Sequence, residues 1–145
     1  MIIVAYPPPN FEIKKLNNTD FLFDKYRKKW VVLTPEEWVR QNFLAYLIQQ
    51  LNYPASLMAI EKEFTINNTK KRADIVCYKH SKPFMIVECK EMNVPITPQV
   101  LQQALQYNMA LQVRYIVLTN GNNTYAWMIE NEVITELNEL PVFSS

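Results

Sequence analysis

Asp74, Glu88 and Lys90 are the residues of this chain whose types and spacing could do chemistry. Asp74 opens the apolar run Ile75-Val76-Cys77-Tyr78, while Glu88 and Lys90 close the next one, Phe84-Met85-Ile86-Val87. Two residues apart in a strand, Glu88 and Lys90 point to the same face of a sheet. If the two runs form an antiparallel hairpin, the start of the first lies beside the end of the second. Two carboxylates and an ammonium then share one partly buried spot, where like charges do not both stay ionised without a cation. Hard oxygen ligands with the remaining positions left to water and phosphate are what magnesium uses. Such an ion activates water and offsets charge on a phosphoryl oxygen, with Lys90 as a fixed positive group beside the attacking water. From spacing alone, an Asp/Glu/Lys salt-bridge cluster at a strand end accounts for these residues equally well.

The elements that must position them are legible on either side. Pro7-Pro8-Pro9-Asn10 is an irregular start, followed by strand candidates at Phe11 to Leu16, Phe21 to Asp24 and Lys29 to Leu33. Asn17-Asn18-Thr19-Asp20 is turn chemistry, so the first two candidates predict a small hairpin. In Thr34-Pro35-Glu36-Glu37 the threonine can cap a helix, proline can take its first position and Glu37 can complete a capping box. Val39, Phe43, Leu44, Leu47, Ile48 and Leu51 follow at helical period until Asn52-Tyr53-Pro54. Arg40 falls near the middle of that apolar face with Glu36 and Glu37 flanking it one turn earlier, and charges aimed at a core need a reason. Arg40 reads as well as a neutraliser of the two glutamates as it does as a phosphate contact.

Strands are expected at Ala59 to Ile66, Ala73 to Tyr78 and Phe84 to Cys89, the last two apolar on both faces as central strands covered by helices are. Thr97-Pro98-Gln99 starts a second helix whose buried stripe is Val100, Ala104, Tyr107 and Leu111, ending near Gln112. Tyr115 to Thr119 and Tyr125 to Ile129 flank the turn Asn120-Gly121-Asn122-Asn123, with Glu132 to Leu137 as an added edge. The order, ββ, α, βββ, α, ββ, is that of one α/β domain spanning residues 1–145, with N-terminal strands over 1–33 and a core over 34–129.

At 145 residues and 49% hydrophobic content, one domain can build a core without a disulfide or structural metal. No apolar run reaches the ~20 residues of a membrane span and the start is not a signal peptide, so a cytoplasmic protein is expected. Cys77 and Cys89 read as buried reduced thiols, and with the lone His80 they match no zinc spacing. The net charge of +1 exerts no global pull on nucleic acid. Fourteen of the fifteen Lys/Arg nevertheless lie within the first 91 residues, clustered at Lys25, Arg27, Lys28, Lys29 and at Lys70, Lys71, Arg72. The second cluster precedes Asp74, which adds weight to a phosphate-tracking role over a solvated turn. Trp30, Trp38 and Trp127 read as core or edge packing, with no spacing that suggests a base-stacking platform.

Taken together, several segments resemble one family. Asp74 followed by Glu88-Cys89-Lys90 is similar to the PD-(D/E)xK nuclease motif. Arg27-Lys28-Lys29-Trp30, Thr34 to Gln41, Lys71 to Val76, Val87 to Lys90, Gln103 to Asn108 and Leu118 to Gly121 resemble the nuclease-type domain at the N terminus of type I restriction enzyme R subunits. The resemblance implies a restriction-endonuclease-like core, a central mixed β-sheet flanked by α-helices, with a short N-terminal β extension. It also implies hydrolysis of DNA phosphodiesters dependent on Mg2+, with Mn2+ as a substitute. Carried over, Asp74 and Glu88 hold the metal and Lys90 orients or activates water. Gln103 and Tyr107 match the QxxxY element found beside the motif. Glu36 or Glu37 corresponds to the acidic residue of the first helix, with Glu37 preferred as a metal ligand. Arg40, Lys70, Lys71 and Arg72 are the expected nucleic-acid contacts. Ala73 stands where the motif name has proline. One such domain cuts one strand, so a homodimer is expected for paired cuts, and restriction or helicase subunits are the other expected partners. The competing expectation is a catalytically inactive nucleic-acid-binding or assembly module that keeps the fold.

Overall fold

Asparagine does most of the turning that glycine does in other β-rich chains. The pairs Asn17-Asn18, Asn67-Asn68, His80-Ser81 and Asn131-Glu132 have positive φ at both positions. This is the backbone of the two-residue hairpin turn whose twist matches that of the flanking strands. The turns join β1 (Ile13–Leu16) to β2 (Thr19–Asp24), β4 (Met58–Ile66) to β5 (Thr69–Lys79), β5 to β6 (Lys82–Cys89), and β8 (Thr124–Glu130) to β9 (Val133–Leu137). With β3 (Lys29–Val32), α1 (Pro35–Gln49), α2 (Pro98–Leu111) and β7 (Tyr115–Thr119), these elements account for the fold. The structure, a computed structural model, describes residues 1–106 and 111–145 throughout and residues 107–110 as helical backbone alone. Among the described residues no helix is long and apolar enough to cross a membrane.

The central sheet is mixed and runs β4-β5-β6-β7-β8-β9. All its neighbours are antiparallel except β6 and β7, whose parallel pairing requires the crossover that α2 supplies. Period-2 alternation sends the side chains of one strand to two cores. Ile75, Cys77, Met85, Val87, Val117 and Ala126 pack with Val39, Phe43, Leu44 and Leu47 of α1. Val76, Ile86, Ile116, Leu118 and Trp127 pack on the other face with Ala104 of α2 and partly buried Val100 and Leu105. A mixed sheet with a helix on each face and a separate antiparallel β1-β2-β3 extension is the architecture expected from the sequence. Cys77 and Cys89 are free and buried, and burial pushes the Cys77 thiol up to about 12.

Three local features differ from expectation. All three N-terminal strand candidates and the added edge at the C-terminal side form, so the order is βββ, α, βββ, α, βββ instead of the shorter ββ, α, βββ, α, ββ. β5 begins at Thr69, placing Lys70, Lys71 and Arg72 on a strand instead of in a turn. Their polar run hid the strand, but pairing with Thr65, Phe64 and Glu63, and of Thr69 with Ile66, carries the hairpin out to Asn67-Asn68. The capping box at Thr34 is only half made. Thr34 Oγ1 accepts from the Glu37 N–H at 3.0 Å, while the Glu37 carboxylate turns to arginine and glutamine donors instead of returning to the cap.

The loop after β7 is where glycine is required. Gly121 has φ +90, and an added Cβ would lie 3.3 Å from Val39 Cγ2 and 3.4 Å from Met92 Cγ. Asn120 closes the same loop, its Oδ1 accepting from the N–H groups of Asn122 and Asn123 while its Nδ2 donates to Val94 O.

Thr34→Ala removes the one side-chain cap of α1 and is expected to cost about 1 kcal/mol. The check is urea unfolding, with a lower midpoint and an unchanged slope.

Candidate functional site

Asp74 lies where both hydrogen-bonded ladders of β5 break. Toward β4 the paired residues are Ile60 with Ile75 and Lys62 with Ala73, and Glu61 between them has φ +55. Toward β6 the register ends at Ile75 with Val87, one step before Asp74 would oppose Glu88. The Asp74 side chain takes the place of the missing ladder bond, its Oδ2 accepting from the Cys89 N–H at 2.8 Å. The antiparallel hairpin therefore brings Asp74 beside Glu88 as its sequence spacing allows.

Arg40 reaches this point from α1. Its Nη1 donates to Asp74 Oδ1 at 2.9 Å, its Nη2 to Glu37 Oε1 at 2.8 Å and Glu61 Oε1 at 3.0 Å, and its Nε to Glu37 Oε2 at 3.0 Å. Only 5% of Arg40 is exposed. It is thus a positioning group for carboxylates, and the expectation that it meets nucleic-acid phosphate is corrected: its donors face inward because α1 packs that side on the sheet.

Behind Arg40 lies a second layer missing from the sequence reading. Arg27, from the turn between β2 and β3, donates to Asp24 Oδ2 and Glu37 Oε1 and lies 3.4 Å from Glu61 Oε2. Gln41 Nε2 donates to Asp24 Oδ2 and Glu37 Oε2. Burial works to raise the carboxyls of Asp24 and Glu37, but the Arg27, Arg40 and Gln41 donors hold both below the ordinary range. Gln41, one turn after Glu37, was a readable signal. Nothing in the sequence spacing announced Arg27, Asp24 or Glu61.

Glu37 is consequently enclosed by this network, 4% exposed, whereas its neighbour Glu36 is exposed and its negative charge adds to what raises Asp74. One residue of helix rotation separates these fates, which is why the sequence did not choose between them. Burial raises Asp74 to about 6, against the lowering effects of the Cys89 N–H and Arg40. Burial, with Asp74 adding repulsion, raises Glu88 to about 8 in spite of Lys90. Glu88 Oε1 is buried with no hydrogen-bond partner.

Glu88 and Lys90 open on a cleft of about 290 Å³ between α2 and the β4–β5 hairpin, lined also by Lys70, Lys71, Arg72 and Gln103. The side chain of Tyr107 lies outside the described residues. Asp74, Glu88 and exposed Glu36 are oxygen donors with too few cations among them, and the orphaned Glu88 Oε1 is an atom that a hard divalent cation would satisfy. Among the described residues no group of three or more acidic, histidine or cysteine side chains is disposed to hold a metal ion, so Asp74 and Glu88 offer at most two carboxylate ligands, with water left to complete a shell.

The sequence profile described as type I restriction enzyme R protein N terminus matches residues 35–141. Among solved structures, the chain is similar to a fragment of a putative HsdR subunit of a type I restriction enzyme from Vibrio vulnificus YJ016. The TM-score is 0.59 and the identity 21%, over 76% of this chain and 24% of that one. This chain thus spans about a quarter of the length of that fragment's chain, and the likeness speaks for the fold. No curated protein sequence matches the chain.

Two stability experiments follow from the site. Glu88 is raised from 4.5 to about 8, so the folded state keeps a proton that the unfolded chain releases. Stability in metal-free buffer therefore falls as pH rises from about 4.5 to about 8, by up to roughly 4 kcal/mol at 1.36 kcal/mol per unit. Glu88→Gln flattens the fall above pH 6 and leaves the Asp74 part below it, as read from urea unfolding across pH. Arg40→Met strands Glu37 and Asp74 and is expected to cost about 3–5 kcal/mol, measured in the same way.

Proposed function

This chain belongs to the type I restriction enzyme R protein N-terminal family, and from its site we propose that it is a metal-dependent nuclease domain hydrolysing DNA phosphodiesters. The observation that carries the reading is the orphaned Glu88 Oε1 beside Asp74, in a cleft shared with Lys90. Asp74 and Glu88 would hold Mg2+ or Mn2+ with water and phosphate in the remaining positions, and Glu36, exposed where Glu37 is enclosed, is the helix-borne acid on their open side. The chemistry a bound divalent cation supplies there is a lowered water pKa and neutralisation of charge on a phosphoryl oxygen.

The chain's own groups do the remaining work. Arg40 and the Cys89 N–H fix the Asp74 carboxylate through one oxygen each, leaving the outer lone pairs to a ligand. Lys90 extends from the end of β6 on the Glu88 face, where an ammonium orients a water for attack and stabilises the hydroxide it becomes. Gln103, exposed on α2, lines the same cleft and can hydrogen-bond the water or a phosphate oxygen. Lys70, Lys71 and Arg72 supply positive charge along the cleft wall, suited to a phosphate backbone. Tyr107 keeps the role that the QxxxY resemblance implies for it. A second copy for paired cuts and restriction or helicase subunits are the partners of this reading.

A second reading, a catalytically silent binding or assembly module, is favoured by one observation: Arg40 already occupies Asp74 Oδ1 as a salt bridge. Cleavage decides between them. With supercoiled plasmid and single-stranded DNA in Mg2+ or Mn2+, wild type is expected to nick, EDTA to stop it and Lys90→Ala to slow it by at least about 100-fold. Mn2+ is also expected to raise the melting temperature by several degrees at concentrations of about 100 times its Kd, worth about 2.7 kcal/mol, and Asp74→Asn to remove that rise. Inert wild type with no metal-induced shift, still binding DNA in a salt-dependent manner, establishes the silent module.

A further inference from the structure

The β1-β2-β3 sheet has two unlike faces. Leu22 and Asp24 of β2 are fully buried, and Asp24 is tied to Gln41 of α1, so this face looks toward the core. Alternation and register place Lys14, Leu16, Phe21, Phe23, Trp30 and Val32 together on the opposite face. Leu16 is 56% exposed, Trp30 39% and Val32 50%, while Phe21 and Phe23 are half-buried. Phe23 and Trp30 are cross-strand partners with ring centroids 5.4 Å apart, edge to face, and Lys14 Nζ lies 4.1 Å from the centroid of the indole. The sequence spacing of the tryptophans did not suggest a platform, because two of the three rings involved are phenylalanines and the strands bring them together only through pairing.

The charge on this face is mainly positive, although exposed Glu12, whose carbonyl accepts from the Phe23 N–H, falls on it by the same alternation. Asp20 and Asp24 point to the other side by the same register, and Asp20 is paired with Lys15. The outward face carries Lys14, and the turn that closes β2 on β3 adds exposed Lys25 and Lys28, while Lys29 stands opposite Asp24 on the other side. Apolar rings with lysines outnumbering the single Glu12 carboxylate around them complement a polyanion that also presents flat apolar surfaces. Duplex DNA keeps its base faces stacked away from such a surface, whereas an unpaired strand offers them.

We propose that the outward face of the β1-β2-β3 sheet binds an unpaired nucleic-acid strand, with a base stacked on Trp30 and Phe23 and the backbone held by Lys14 and the lysines of the β2–β3 turn. The Lys14 stem is long enough to yield the indole face to a base and take a phosphate instead. The surface is separate from the cleft beside Glu88, and its binding can be read without cleavage. Arg27, in the same turn as Lys28, ties this sheet to Glu37 and so to the wall of the candidate site.

The test is equilibrium binding of the full chain to a fluorescein-labelled oligothymidylate of about 15 nucleotides and to a duplex of equal length, in EDTA. Wild type is expected to prefer the single strand, with quenching of tryptophan fluorescence. Trp30→Leu, which keeps apolar bulk but removes the π-face, should weaken single-strand binding by about tenfold, and Trp30→Phe should restore it to within about threefold of wild type. The Mn2+-induced thermal shift is expected to persist in Trp30→Leu, which separates failure here from failure of the nuclease reading. Unchanged binding by Trp30→Leu, or a preference for the duplex, overturns the proposal. So does sedimentation showing a dimer that Val32→Asp dissolves, because a second copy of the chain then covers this face.

Discussion

One buried guanidinium ties together the parts of this protein that sequence separates. Arg40 bonds Glu37 on its own helix, Glu61 on β4 and Asp74 on β5. Through Glu37 it is joined to Arg27 and hence to Asp24 of the N-terminal sheet. A planar fork with several fixed donors suits this task where a lysine ammonium does not, since three carboxylates must be met at once in set directions. The cost of burying the charge is offset only because these partners are all present, so α1, the β4–β5 hairpin and the small sheet take up their mutual positions together.

The same arrangement explains why Asp74 and Glu88 differ from the acids behind them. Asp24 and Glu37 have donors for their oxygens and ionise readily despite burial. Asp74 shares Arg40 with two other carboxylates, and Lys90 only partly offsets the burial of Glu88, so desolvation prevails at both. A saturated inner layer and an undersupplied outer layer, a few side chains apart, give a rigid wall next to a place where positive charge is favoured.

Much of this was legible in the sequence because it rests on local rules. Proline after threonine marked the starts of both helices, and two-sided apolar runs marked β5 and β6 as central strands. The Asp74, Glu88 and Lys90 set was readable because a hairpin converts spacing along two strands into adjacency. What escaped depended on choices that periodicity does not make. Glu36 and Glu37 differ by a rotation of 100° about the helix axis, and the donor-rich interior lay on the Glu37 side. Arg40 stood on the apolar stripe, but only the fold shows which carboxylates receive it. Glu61 stands at positive φ inside β4, where it pairs with Arg27, Arg40 and Arg72, a conformation that no strand propensity anticipates.

The central sheet consists of two antiparallel three-stranded units, β4-β5-β6 and β7-β8-β9, joined by a single parallel pairing. Contacts inside each unit are close in sequence, because two-residue turns close β4–β5, β5–β6 and β8–β9. The pairing of β6 with β7 must wait for the intervening chain and α2 to close a much longer loop. Glu88 and Lys90 stand at the end of β6 along this seam, where Glu88 is in register with Leu118 and the Lys90 N–H donates to Thr119 O. The candidate site is therefore assembled at the least local strand pairing of the central sheet, and a chain in which the two units had formed but not joined would carry hairpins without chemistry.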